Sequence, residues 1–150
     1  MEKAVGAYLI STDRARLDLD AIHTYLSTEA YWALGRSAEQ VARAIENSLP
    51  FGLYHGADQV GFARVVTDSA TFGWLADVYV LAEHRGHDLG KALVEAVLEH
   101  PDVRRLPRMM LATLDAHGLY ERYGFEPSEA GRFMTIESAR LRELGDAGTA

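Results

Sequence analysis

Apolar residues recur with two different periods along this chain, and together they predict a fold that mixes strands and helices. Residues 51–55, 59–67 and 74–81 are short apolar runs rich in Val, Phe and Tyr, which favour strands. Turn residues separate these runs, and the Gly-Ala-Asp sequence at 56–58 is typical of a hairpin. We therefore predict three consecutive antiparallel strands in the middle of the chain.

The sequence predicts three helices, which cover residues 18–26, 38–48 and 88–100. The first is predicted from the N-cap chemistry of Asp18, and the other two from the helical spacing of their apolar side chains. Ser37, followed three residues later by Gln40, resembles a capping box at the start of the second helix. Pro101 ends the third helix, because proline disfavours helical geometry in the residue before it. Residues 109–114 then read as a strand, and this strand should lie parallel to 74–81 because a crossover helix precedes it.

Shorter patterns complete the prediction at the two ends of the chain. The predicted elements are a first strand at 8–12, an irregular segment at 29–35, a short helix at 116–123 ended by Gly124, a final strand at 131–138 and a frayed tail from Gly145. We expect an α/β fold in which helices flank a predominantly antiparallel central sheet. At 150 residues, one domain spanning 1–150 is the expected organisation.

Composition excludes several classes of function. The chain has no cysteine, which rules out disulfides, zinc–thiolate sites and a cysteine nucleophile. Its net charge of −7 argues against nucleic-acid binding and weakly favours a cationic or neutral substrate. No apolar run is long enough to cross a bilayer, and residues 1–11 lack the features of a leader peptide, so we expect no membrane partner and a cytoplasmic location. His84 and His117 have no partner at metal-ligand spacing, so no metal is expected.

The most informative stretch is residues 85–91, Arg-Gly-His-Asp-Leu-Gly-Lys, between a predicted strand and a predicted helix. The first N–H groups of a helix have no internal partner, and the helix dipole favours negative charge there. Glycine lets the backbone approach a phosphate closely, and Arg or Lys adds charge. These residues predict a phosphate or pyrophosphate site; the alternative is a plain helix start capped by Asp88.

Two motifs resemble the GCN5-related N-acetyltransferase (GNAT) superfamily. Its Arg/Gln-x-x-Gly-x-Gly/Ala turn is matched by Arg85 and Gly90, while Asp88 stands where the family usually has its first glycine. Residues 116–125 look like the family's Ala-x-x-x-Tyr-x-x-x-Gly-Phe segment, and Thr113 stands where an Asn is common. The motifs occur in the family's order and at a family-like distance, and the resemblance covers about 51–138. It implies the acyl-CoA N-acyltransferase fold and acetyl-CoA as co-substrate.

The resemblance also implies roles for particular residues. The implied CoA-binding residues are Val78, Val80, Arg85, Gly86, His87, Asp88, Leu89, Gly90, Lys91, Thr113 and Tyr120. In the family, a strand bulge at the position of Val80 presents a backbone N–H that polarises the thioester carbonyl. A tyrosine at the position of Tyr120 protonates the departing thiolate. The alternatives are an ordinary core Val80 in a regular strand and a Tyr120 that only packs its helix against the sheet.

Four further residues are candidates for contact with the acceptor. Asp77 interrupts an apolar strand, and a lone buried carboxylate needs a partner. It could accept a proton from an ammonium substrate or hold that ammonium by charge. The alternative is that Asp77 lies on a strand face open to solvent. Arg64 either binds an acceptor carboxylate, lies on the surface, or pairs with Asp68 or Asp77. Tyr31 and Trp32 either line the acceptor site, because the family uses this region for substrate selection, or anchor the first helices in the core.

The resemblance thus implies an N-acetyltransferase that moves an acetyl group from acetyl-CoA directly to a primary amine. Tyr120, Asp77 and Val80 are the expected catalytic residues, and the lack of cysteine excludes an acetyl-cysteine intermediate. One alternative is a non-catalytic acyl-CoA-binding or regulatory module of the same fold. Another, a nucleotide-binding domain, is disfavoured because no complete phosphate-binding glycine motif is present. The sequence does not identify the acceptor amine, and pairing through the final strand would give a homodimer.

Overall fold

The structure, a computed structural model, describes residues 1–147, which fall into two compact units, 1–115 and 116 onward. The strands are β1 (Glu2–Val5), β2 (Tyr8–Ser11), β3 (Leu49–His55), β4 (Asp58–Thr67), β5 (Gly73–Val80) and β6 (Met109–Met110). The helices are α1 (Leu19–Thr28), α2 (Ala38–Glu46), α3 (Leu89–Glu99), α4 (Pro101–Arg104), α5 (His117–Glu121) and α6 (Ser138–Ala147). The organisation as one domain spanning 1–150 stays a prediction.

The first unit is built on a six-stranded sheet whose spatial order, β1 to β6, follows the chain. Neighbouring strands are antiparallel except for β5 and β6, which are parallel because α3 and α4 lie between them. The predicted meander, the parallel orientation of the strand that follows the crossover helix and the mixed α/β fold class are therefore confirmed. The sequence did not predict β1, a short strand that pairs with β2.

Helices α1 and α2 cover one face of this sheet. Phe62 of β4 and Tyr79 of β5 pack into a buried cluster with apolar residues of both helices, among them Ile22 and Val41. The ring of Tyr25 stacks on that of Tyr79 with centroids 3.8 Å apart. Both helices begin as predicted: Asp18 caps α1, and the capping box at Ser37 starts α2. This packing fixes the loop between the two helices above β4 and β5.

Helix α3 packs against β1, β3, β4 and β5. Its fully buried positions, including Leu93, Val94 and Val97, recur at helical spacing. Strand β4 is buried at successive residues from Gln59 to Ala63, as expected for a strand covered on both faces. The sheet therefore lies between α3 and the α1–α2 pair, with the start of α3 beside the end of β5.

Strand β5 contains a β-bulge. Phe62 pairs with Tyr79 but Arg64 pairs with Ala76, so Asp77 and Val78 together stand opposite a single residue of β4. Asp77 has a φ of +55°, a left-handed conformation that is uncommon outside glycine. A bulge in this strand was expected at Val80; the structure corrects its place to Asp77 and Val78.

The predicted strand at 109–114 is mostly wrong, because only Met109 and Met110 pair with β5. They pair with Gly73 and Trp74 at the start of β5, and beyond this point no β6 partner follows the remaining residues of β5. Strand β5 and the segment after Met110 diverge, so the residues that follow Met110 lack the ladder of hydrogen bonds that a strand requires. This divergence leaves an open edge along the second half of β5.

The final predicted strand is also wrong. Residues 131–137 form turns and irregular chain, and Ser138 begins α6. The apolar side chains of Phe133, Met134 and Ile136 are exposed, whereas the Ala, Arg, Leu and Glu residues that follow favour a helix. Helix α6 includes the start of the predicted frayed tail, and residues 148–150 lie outside the described part of the chain. Among residues 1–147, no helix is long and apolar enough to cross a membrane.

Candidate active site

The turn between β5 and α3 presents backbone N–H groups at a helix start. A short 3-10 turn follows β5, Gly86 has a φ of +88°, and Asp88 has a φ of +56°. The first hydrogen bond of α3 runs from the N–H of Ala92 to the carbonyl of Asp88, at 3.0 Å. The N–H groups of Leu89, Gly90 and Lys91 therefore precede the helical ladder, which is the arrangement that binds phosphate.

The side chain of Asp88 does not cap the helix, contrary to the alternative prediction. It makes no capping hydrogen bond. Instead, its Oδ1 accepts from Nζ of Lys91 at 2.5 Å on the exposed surface of the turn. One negative charge thus lies at the helix start, and the nearest lysine is engaged with it.

Arg85 ties this turn back to the strand that precedes it. Its Nε donates to the carbonyl of Val80 at 3.0 Å, and its Nη2 donates to the hydroxyl of Tyr25 at 3.2 Å. Both contacts hold the turn against β5 and α1. The side chain of Arg85 thus positions the turn.

The peptide of Val80 faces the open edge of β5. The N–H of Leu81 donates to the carbonyl of Val60 at 2.8 Å, which makes these two residues a hydrogen-bonded pair. Polar groups of successive strand residues alternate in direction, so the N–H and carbonyl of Val80 point away from β4. The bond from Arg85 to that carbonyl agrees with this direction. The N–H of Val80 is directed into the gap where β5 and β6 have diverged.

Asp77 is buried and is held by three donors. Its Oδ2 accepts from Nε of Arg64 at 2.6 Å and from Nη1 of Arg36 at 2.9 Å, and its Oδ1 accepts from Nε1 of Trp32 at 2.9 Å. The side chain of Asp77 is 3% exposed, so the face-open-to-solvent alternative is wrong. We call Trp32, Arg36, Arg64 and Asp77 the Asp77 cluster.

Electrostatics keep Asp77 ionised. Burial raises the pKa of the carboxyl group, but the hydrogen bond and charge of Arg64, the charge of Arg36 and the hydrogen bond from Trp32 together lower it below its ordinary value. A carboxylate whose charged form is stabilised in this way is a weak base. The pairing of Arg64 with Asp77 is one of the alternatives that the sequence predicted. Arg64 also donates from Nη1 to Oγ of Ser48 at 2.9 Å.

Tyr31 and Trp32 are not core anchors. They lie in the loop between α1 and α2, are 48% and 42% exposed, and form an edge-to-face pair with ring centroids 5.0 Å apart. The indole N–H of Trp32 is nevertheless fixed by Asp77. The loop thus presents an ordered aromatic surface beside the Asp77 cluster.

The remaining candidates are located as follows. His87 is exposed in the turn, with its ring 5.9 Å from that of Tyr8, whose hydroxyl is 3.0 Å from Nδ1 of His84. Thr113 is half-buried in the irregular segment after β6. In the second unit, Tyr120 is buried in α5 and packs edge-to-face on Phe125, with centroids 5.8 Å apart. Among the described residues, no group of three or more acidic or histidine side chains has the geometry of a metal site.

Comparison with known proteins decides the family. A sequence model of the acetyltransferase (GNAT) domain matches residues 46–127, more than half of the chain. A protein of Gibberella zeae, named as a putative acetyltransferase, is 36% identical over 138 residues, covering 77% of this chain and 76% of that protein. This chain belongs to the GNAT acetyltransferase family.

Solved structures agree with this family. A Xanthomonas campestris protein described as a putative acetyltransferase of the GNAT family is 46% identical, with a TM-score of 0.84 over 89% of this chain and 94% of that one. A Mycobacterium tuberculosis protein solved with CoA is 22% identical, with a TM-score of 0.66 over 91% of this chain and 81% of that one. This second likeness shows the fold alone. Acetyl-CoA-dependent acetyl transfer is the activity that GNAT membership supports.

The residues of this GNAT domain fit an acyl-CoA co-substrate. The start of α3 offers N–H groups for its phosphates, and the open edge of β5 offers a polar N–H to its amide-bearing arm and its thioester. Arg36 is the site residue that sequence reasoning missed. Its partner Asp77 is 41 residues away along the chain, so no local pattern joins the two residues. The one indication in the sequence was that Arg36 lies close to Tyr31 and Trp32, which were already candidates.

Proposed function

We propose that the protein transfers an acetyl group from acetyl-CoA to the nitrogen of a small primary amine, without an acetyl-enzyme intermediate. The observation that carries this proposal is the direction of the backbone N–H of Val80. Its N–H is directed into the gap beside β5, and five residues later the chain enters the turn that starts α3. One end of the site is thus suited to a carbonyl oxygen and the other to a pyrophosphate.

The proposed CoA contacts follow from this geometry. The N–H groups of residues 86–91 bind the pyrophosphate, helped by the dipole of α3. Val78 and Val80 contact the pantetheine arm along the open edge, as an added strand would. Arg85 holds the turn in place. The family motif adds Thr113 and Tyr120 to the proposed CoA contacts.

Acetyl-CoA supplies an activated thioester, and the protein stabilises the charge that develops during transfer. The N–H of Val80 donates to the thioester carbonyl oxygen as the amine nitrogen attacks, which is oxyanion stabilisation by a fixed backbone dipole. A carbon–nitrogen bond forms and the carbon–sulfur bond breaks. Tyr120, in the role that the family motif implies, gives its proton to the departing thiolate and later regains one from solvent.

The amine must lose a proton before attack, and we propose that water accepts it. Asp77 was the other predicted acceptor, but its two oxygens already receive three hydrogen bonds and its pKa is lowered. A group in this state takes up a proton poorly near neutral pH. We therefore propose a positioning role for Asp77: it holds Trp32 and the two arginines of its cluster.

Release of CoA in the presence of an amine tests this proposal. Because the chain contains no cysteine, a thiol-reactive chromophore detects only CoA and gives no background from the protein. The assay compares primary amines with alcohols of the same carbon skeleton, and mass spectrometry identifies the acetylated product. Amine-dependent release with an N-acetyl product supports the proposal; release with alcohols alone contradicts nitrogen specificity.

A second candidate function is a non-catalytic acyl-CoA-binding or regulatory module. The carboxylate of Asp88 favours it, since this charge at the helix start opposes a pyrophosphate and engages Lys91. Tight binding of acetyl-CoA, with no CoA release on any amine of the library, is the result that distinguishes this function. In both cases we propose a cytoplasmic protein without a metal, a membrane partner or a nucleic-acid partner. The homodimer stays a proposal, and the strand expected to pair its subunits is absent from the described residues.

A further inference from the structure

The Asp77 cluster carries a surplus of positive charge. It contains two guanidinium groups and one carboxylate, all within hydrogen-bonding distance. Arg14 lies nearby and donates from Nη1 to the carbonyl of Ile45 at 2.8 Å and from Nη2 to the carbonyl of Ser48. The chain as a whole is acidic, but salt screens distant charges beyond about 8–10 Å. A ligand at this cluster therefore meets a local positive charge.

Arg36 is the member of the cluster that is able to bind a ligand. Its only side-chain hydrogen bond among residues 1–147 is the one from Nη1 to Asp77, and its side chain is 24% exposed. Its Nε and Nη2 form the edge of the guanidinium that binds a carboxylate through two parallel hydrogen bonds. Arg64 is more deeply buried, at 12%, and uses Nε and Nη1 within the protein.

The cluster is held in place before any ligand binds. Asp77 fixes Arg36 from one side and Trp32 from the other, so the guanidinium and the indole keep their separation. The exposed rings of Tyr31 and Trp32 add an apolar wall next to the charge. A fixed guanidinium loses less side-chain entropy on binding than a free surface arginine does.

The cluster also lies at a useful distance from the proposed site of transfer. Asp77 and Val80 are three residues apart in β5, which corresponds to at most roughly 10 Å, because the bulge and the left-handed Asp77 shorten the strand. A small molecule of several carbons spans such a distance. We propose that Arg36 binds the carboxylate of the acceptor, so that the acceptors are small amines that carry a carboxylate. This inference rests on the proposed function and specifies its substrate class.

Matched acceptors test the inference. We would compare ω-amino acids of three to six carbons with their ω-amino carboxamides and with simple alkylamines, because the remote carboxylate hardly changes the basicity of the amine. Aminoalkyl phosphonates form a further arm that separates a carboxylate site from a general anion site. We expect kcat/KM for the best amino acid to exceed that of its carboxamide by roughly 10- to 100-fold, mostly through KM.

Substitutions of Arg36 test whether this residue causes the preference for a carboxylate. Arg36→Ala leaves Asp77 paired with Arg64, so the buried charges stay balanced and the fold is expected to persist. In this variant the preference for carboxylate over carboxamide should fall by about 10-fold or more, and Arg36→Lys should recover only part of it. Arg43→Ala is the matched control, since Arg43 is exposed on α2 and its side chain makes no hydrogen bond or ion pair within residues 1–147.

Calorimetric binding of the same amino acids to the CoA-saturated protein separates this inference from the proposed function. If amino acids bind and Arg36→Ala abolishes binding, but no acceptor releases CoA, the transferase proposal fails and the carboxylate site stands. If carboxamides or alkylamines bind and react as well as amino acids, the inference is overturned while transfer stands. If phosphonates alone are preferred, the assignment of a carboxylate is wrong. If no amino acid binds at millimolar concentration, the inference is also overturned.

Discussion

Nε of Arg64 lies 2.6 Å from Oδ2 of Asp77, and this buried ion pair joins β4 to the bulge in β5. The bulge sets Asp77 in a left-handed conformation and aligns its carboxylate with Arg64, with Arg36 and with the indole of Trp32. A lone buried carboxylate is costly, and the three donors offset that cost. The same contacts organise the loop between α1 and α2, where we expect the acceptor to bind.

Replacing Asp77 should therefore destabilise the fold. Asp77→Asn keeps the size of the side chain but removes the charge that balances two guanidinium groups, which leaves both of them partly buried without a counterion. We expect the free energy of unfolding to fall by about 3 kcal/mol. Urea unfolding followed by circular dichroism measures it, with the exposed Glu46→Gln as the matched control. A loss as small as that of Glu46→Gln would show that the ion pairs contribute little.

The stability that Asp77 provides should depend on pH in one direction. Burial raises the pKa of Asp77, but Arg64, Arg36 and Trp32 lower it further than burial raises it, so folding favours the ionised form. The contribution is complete above the unfolded pKa of about 4 and is lost as pH falls through the lower folded pKa. The difference in unfolding free energy between wild type and Asp77→Asn should thus shrink below about pH 4. A difference that stays constant from pH 5 to pH 2 would contradict this assignment.

Asp88 should weaken the binding of acetyl-CoA. Its carboxylate lies at the start of α3 and engages Lys91, and its backbone has a φ of +56° that glycine adopts more readily. We expect Asp88→Gly to bind acetyl-CoA roughly fivefold more tightly in calorimetric titrations. Equal affinity of the two proteins would contradict the proposal that the turn binds the pyrophosphate.

A second substitution at the same position separates charge from conformation. Asn tolerates the left-handed conformation at least as well as Asp does but carries no charge. If charge is the main cause, Asp88→Asn and Asp88→Gly should tighten binding equally. If close approach of the backbone is the main cause, only Asp88→Gly should do so.

The hydroxyl group of Tyr120 should act mainly on the rate of transfer, whereas its ring supplies the proposed contact with CoA. Tyr120→Phe keeps the ring that packs on Phe125 but removes the proton donor. We expect kcat to fall by roughly 100-fold with little change in KM for acetyl-CoA, measured by CoA release. Tyr123→Phe, a second tyrosine hydroxyl of the same segment, is the control. Equal effects of the two substitutions on kcat would argue against Tyr120 as the acid.

The sequence predicted those parts of the fold that depend on neighbours along the chain. The hairpin that joins β3 to β4 and the capping box at Ser37 were predicted correctly because a few adjacent residues determine each of them. The turn before α3 was found for the same reason. In each case the chemistry of the motif is complete within a few residues.

Features that depend on distant partners were missed or wrong. Residues 131–138 contain the apolar run expected of a strand, but strand formation also needs a neighbouring backbone, and α6 begins instead at Ser138. The bulge at Asp77 depends on its pairing with β4, which no run of residues reveals. Arg36 was missed because only the folded structure brings it into contact with Asp77.

Calorimetric titration with acetyl-CoA tests the central claim most directly, with ATP and dephospho-CoA as controls. The proposed site predicts saturable binding of one acetyl-CoA per chain, stronger than that of ATP, because ATP has phosphates for the turn but no arm for the open edge of β5. Absence of binding at millimolar acetyl-CoA, or equal binding of ATP, would contradict the claim that the start of α3 and the peptide of Val80 form one acetyl-CoA site.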